Sequence, residues 1–82
     1  MTVQYFNTLD NVDQLNIVFN YGAYIAQRST EENQITLFQL FSFYVEIYSS
    51  GEKWLCAIES FDDVGGLDIY INDIDITALL SG

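Results

Sequence analysis

Phe43, Val45 and Ile47 alternate with Tyr44, Glu46 and Tyr48. A period of two sends successive side chains to opposite sides of an extended chain, so this stretch reads as a strand with one apolar face and one wetter face. Ala23 to Arg28 and Gln34 to Phe41 read as two earlier strands, the second rich in residues that suit a pleated surface, with the polar turn Ser29 to Asn33 between them. After the turn Ser49-Ser50-Gly51, Lys53 to Phe61 reads as a fourth, with Trp54, Cys56 and Ile58 on one side and Leu55 and Ala57 on the other. Connections this short join only antiparallel neighbours, because a parallel pair needs a crossover of roughly a dozen residues or more. The expected sheet is a four-stranded antiparallel β-meander.

Helices are expected at both ends. Asp10 can cap a helix whose first turn carries Asp13 and whose apolar stripe is Val12, Leu15, Val18 and Phe19. It should end near Tyr21, with Gly22 taking the left-handed conformation that a glycine adopts freely. Val3 to Asn7 adds a short turn before it. From Asp63, the spacing of Leu67, Ile71 and Ile74, with Tyr70 alongside, predicts a C-terminal helix, with Gly65 and Gly66 either making its first turn irregular or delaying its start to Gly66. Thr77 to Leu80 reads as a last short turn. An order of helix, four strands, helix is α+β, and both helices are expected on one sheet face. At 82 residues the chain is one domain, 1–82.

Composition removes whole classes of chemistry. There is no His, one Cys, and only Arg28 and Lys53 against twelve carboxylates, for a net charge of −10. Two cations so far apart cannot form the basic patch that releases counterions from a nucleic acid, so no direct nucleic-acid binding is expected. The same deficit argues against an anionic membrane, and no apolar run approaches the roughly 20 residues of a spanning helix. With no export signal after Met1, the expected compartment is the cytoplasm. Cys56 lacks the partners for a disulfide or a zinc site and reads as a small buried hydrophobe. Without histidine no Ser-His or Cys-His nucleophile can be assembled, and Gly65-Gly66 is not a phosphate loop. The chain is expected to be no enzyme and to carry no cofactor.

Leu37, Gln39, Leu40, Phe43-Tyr44-Val45-Glu46 and Tyr48, followed by Ser60-Phe61, Leu67, Tyr70 and Ile74-Asp75-Ile76, resemble a pattern in a group of short uncharacterised bacterial proteins. The resemblance spans residues 35 to 80. It implies a bacterial protein with a strand-rich middle and a C-terminal helix, and brings no activity, cofactor or site residue.

Two surfaces stand out. Tyr44 and Tyr48 flank Glu46 on the outward register of the third strand, and tyrosine-rich faces are enriched at protein interfaces. Cross-strand aromatic pairing that only stabilises the sheet is the competing reading. Glu59, Asp62, Asp63, Asp68, Asp73 and Asp75 make the C-terminal third strongly acidic. These carboxylates read as a solvated face and a helix cap, since the incipient calcium-loop pattern at Asp73-Ile74-Asp75 lacks its central glycine and closing glutamate. The leading expectation is a non-enzymatic protein-protein interaction or adaptor domain, its partner another protein or a second copy in a homodimer. The alternative is an acidic inhibitor that imitates DNA, using Asp62, Asp63, Asp68, Asp73 and Asp75 to occupy the basic cleft of a nucleic-acid-binding protein.

Overall fold

The computed structural model describes residues 1–55 and 57–70, with backbone alone at Val64, Asp68 and Ile69. Its elements are α1 (Val3–Phe6), α2 (Asn11–Tyr21), β1 (Ala23–Ser29), β2 (Gln34–Leu40), β3 (Phe43–Ser49), β4 (Ala57–Phe61) and a 3-10 helix (Val64–Tyr70). The four strands lie in chain order as one antiparallel sheet, so the class is α+β with a meander, as the alternation and the short turns require.

Asp10 caps α2 through Oδ1, which accepts from the Asp13 amide at 2.9 Å. The helix ends at Tyr21, but Gly22 is extended, at φ −78°, rather than left-handed. Glycine is needed there for space. The Gly22 amide donates to the Val18 carbonyl at 2.7 Å, and a Cβ would lie 2.5 Å from that same oxygen. The inward face of α2 is Gln14, Leu15 and Val18, whereas Val12 and Phe19, expected in the apolar stripe, are exposed. Residues i and i+7 stand only about 20° apart on a helix of 3.6 residues per turn, so Val12 and Phe19 form a separate row on the flank. Gln14 takes the inner place because its Nε2 donates to the Phe6 carbonyl at 3.0 Å, which ties α1 to α2 and satisfies a buried polar group.

Residues paired across antiparallel strands share a face, and the register therefore sorts the sheet into two surfaces. Leu40, Phe43, Val45 and Ile47 face Phe6, Leu15 and Val18 from the helices, with the Phe6 and Phe43 rings 5.5 Å apart. Ala26 and Leu37 face the other way, against Tyr70, with Ile25, Tyr44, Phe61 and Leu67 around them. Over the described residues, α2 and the 3-10 helix thus pack on opposite faces of the sheet. Phe61 ends β4 opposite Tyr44 on the Leu37 side, and Gly66 passes so close to its ring that a Cβ would lie 2.6 Å away. The chain therefore leaves β4 on the side away from α2. The remainder of the expected C-terminal helix, and the last turn from Thr77 to Leu80, lie outside the described residues.

The fourth strand starts at Ala57, not Lys53. Ser50 and Lys53 close a turn, with the Ser50 amide donating to the Lys53 carbonyl at 2.7 Å, and pairing with β3 begins only at Tyr48 opposite Ala57. Trp54 is left in the loop, 65% exposed, while Leu55 packs on the core below α2. Cys56, read as a packing residue, lies outside the described residues.

Candidate interaction surface

The wetter face of β3 is closed rather than open. Glu46 is only 7% exposed, and its Oε2 accepts from the Tyr70 hydroxyl at 2.6 Å and from Arg28 Nη2 at 3.3 Å. The Arg28 guanidinium also sits 5.5 Å from the centre of the Tyr70 ring, and its Nε is buried without a partner among the described residues. Three elements meet here: Arg28 comes from β1, Glu46 from β3 and Tyr70 from the end of the 3-10 helix. Burial, then the bond to Glu46, pushes the Tyr70 phenol well above its ordinary range. Burial pulls Arg28 downward, but its contacts with Tyr70 and Glu46 outweigh that and hold it above its usual value. Tyr48 is likewise raised, by burial first and then by the Glu46 charge. Tyr44 stacks on Phe61 with centroids 5.4 Å apart. Of the trio Tyr44, Glu46 and Tyr48, then, the carboxylate is engaged in a buried ion pair and one ring in a cross-strand stack.

The acidic segment is only partly described. Asp62 and Asp63 are both exposed. Asp63 caps the 3-10 helix, its Oδ1 accepting from the Gly65 amide at 2.9 Å and its carbonyl from the Gly66 amide at 3.0 Å. Asp68 lies on that helix by its backbone, and Asp73 and Asp75 lie outside the described residues. Among the described residues no group of three His, Cys, Asp or Glu side chains is placed to hold a metal ion.

A different surface emerges beside α2. Phe19, Thr36, Phe38, Ile47, Ser49, Ser50 and Trp54 line an open groove of about 330 Å³. Phe38 meets Phe19 edge-on at 6.4 Å and Tyr24 edge-on at 6.3 Å. The Tyr24 contact depends on a β-bulge: the β1–β2 register shifts between Tyr24 and Ala26, so Tyr24 pairs with Phe38 on the α2 side while Ala26 pairs with Leu37 on the Tyr70 side. At the far end of β2, Tyr21 and Phe41 add a ring pair at 5.9 Å. Phe41 occupies the β2–β3 turn at φ 57°, a left-handed conformation uncommon for a bulky residue. Phe19, Tyr21, Tyr24, Phe41 and Trp54 are all exposed.

Among the described residues the groove walls supply hydroxyls and aromatic area but no ionisable side chain. Charge stands at its edge. Gln34 pairs with Ser49, which brings the β1–β2 turn to the sheet end where Ser50 begins the next loop. Glu31 and Glu32 are exposed in that turn, and Glu52 is exposed between Ser50 and Trp54, in the same loop as Lys53. The sequence hides this surface because Phe19 also fits the apolar stripe of α2 and Trp54 also fits a strand face.

No helix among the described residues is long and apolar enough to cross a membrane. No protein-family model matches the chain, and neither the curated proteins nor the solved structures compared with it gave a match.

Proposed function

We propose that the chain is a small non-enzymatic interaction domain of the cytoplasm, and that it docks another protein through the aromatic surface between α2, β2 and the β3–β4 loop. One observation carries the reading. Phe19 and Trp54, 61% and 65% exposed, flank a groove floored by Phe38 and Ile47, an arrangement of large, rigid apolar side chains around a concavity that suits an inserted anchor. Aromatic side chains left in water on a domain this small are a cost to solubility that a partner's surface would remove. Among the described residues the groove is lined by aromatic and aliphatic side chains and three hydroxyls, which suits it to binding through apolar area.

Site-specific photocrosslinking tests this in cells. A benzophenone side chain replacing Phe19 or Trp54 should give a discrete protein adduct, and one replacing Thr8, or the exposed Glu59 on the opposite face of the sheet, should not. Adducts from the control positions alone would remove the groove from consideration.

A further inference from the structure

We infer that the occupant of this groove is a cationic, apolar peptide segment: an aliphatic or aromatic side chain enters between Phe19 and Trp54 while neighbouring Lys or Arg side chains lie against Glu31, Glu32 and Glu52. The inference rests on the groove being a docking site and adds the chemistry of what docks. Charge complementarity decides among the occupants. The chain carries −10 overall, with only Arg28 and Lys53 positive. Arg28 is committed to Glu46 on the opposite side of the sheet, so its charge does not offset the carboxylates at the groove end. There, three carboxylates, Glu31, Glu32 and Glu52, outnumber the one cation of the same loops, Lys53. An acidic segment, or a second copy of this chain bearing the same −10, would meet like charge on approach. A basic segment would be drawn in by the whole field and retained by the apolar contact. The groove floor supplies Thr36, Ser49 and Ser50 hydroxyls for the backbone or polar groups of such a segment.

The single tryptophan is on the groove wall and exposed, so its emission reports occupancy directly. Three synthetic peptides of equal length serve as probes: a Leu-Lys peptide, the same peptide with Glu for every Lys, and the same with Ser for every Leu. The Leu-Lys peptide should shift Trp54 emission to the blue, with an affinity that falls about tenfold or more as salt rises from low millimolar to several hundred millimolar. Phe19→Ser should abolish the shift. The triple variant Glu31→Gln, Glu32→Gln, Glu52→Gln should keep a weaker, less salt-sensitive shift. Equal binding of the Leu-Glu peptide would overturn the charge inference and leave the groove as a docking site. An equal shift with the Ser-Lys peptide would show attraction to the acidic surface without insertion, and would overturn both. The peptide comparison is made on the unaltered chain and does not depend on any variant folding.

Discussion

Tyr70 carries the most work of any single side chain in the described structure. It is fully buried, its ring stacks under Arg28, and its hydroxyl donates to the carboxylate of Glu46. A hydrogen bond to a charged acceptor contributes about 1.5–3 kcal/mol, and here it also compensates for withdrawing Glu46 from water. Tyr70→Phe should therefore destabilise the fold by about 2 kcal/mol in urea at neutral pH. The pH dependence follows from the raised Tyr70 phenol. The native state holds this proton more tightly than the unfolded chain, whose tyrosines ionise near pH 10. Above that pH the unfolded chain binds fewer protons than the native one, so stability falls as pH rises, while below it the contribution is complete. Urea midpoints from pH 8 to 11 should show the gap between wild type and Tyr70→Phe constant up to about pH 10 and narrowing beyond it. Tyr48 is raised in both proteins and cancels in the comparison. A gap that stays constant to pH 11 would mean that Tyr70 does not hold its proton through Glu46. The pairing of Glu46 with Arg28 and Tyr70 was hidden in the sequence, where period-two alternation assigns Glu46 to the outer face. Alternation reports which side of the strand a residue takes, not whether a distant segment covers that side.

Among the elements, those set by local chemistry were legible and those set by distant contacts were not. The strand cores of β1, β2 and β3 follow from alternation and turn residues, and the start of α2 from Asp10. The sequence pattern starts β4 four residues before the structure does, because Lys53 to Ile58 is apolar enough for a strand while pairing waits for the Ser50–Lys53 turn to close. That difference moves Trp54 from a sheet face to the groove wall. Gly22 follows the helix as its sequence position implies, but it is required for space beside the Val18 carbonyl and not for a left-handed φ. Gly22→Ala should cost about 1–3 kcal/mol by crowding the Val18 carbonyl, even though its φ is ordinary for alanine. Asp10→Ala, which removes only a cap, should cost about 1 kcal/mol. Equilibrium urea unfolding measures both, and a Gly22→Ala variant as stable as wild type would show that the helix end yields. Phe41 is the reverse case: a glycine or asparagine would sit more easily at φ 57° in that turn. Phe41→Gly relieves backbone strain while losing the contact with Tyr21, so its net effect should stay within about 1 kcal/mol.

At the scale of the whole molecule, a charge of −10 on 82 residues sets the sign of every salt effect. Like charges repel within one compact chain, so added salt should raise the melting temperature by screening that repulsion, before any specific contact is considered. The same field acts between copies. The exposed rings of Phe19, Tyr24 and Trp54 favour self-association through apolar area, and the charge opposes it. Sedimentation equilibrium should accordingly find a monomer at low salt and, if copies do pair through this surface, a dimer that strengthens as salt rises and is lost in Phe19→Ser. A complex with a cationic segment must respond in the opposite direction, weakening over the same range because its attraction is screened. The two kinds of partner are thus separated by the sign of one slope. A dimer already complete at low salt would mean that apolar contact overrides the field, and the groove would then be occupied by a second copy of the chain.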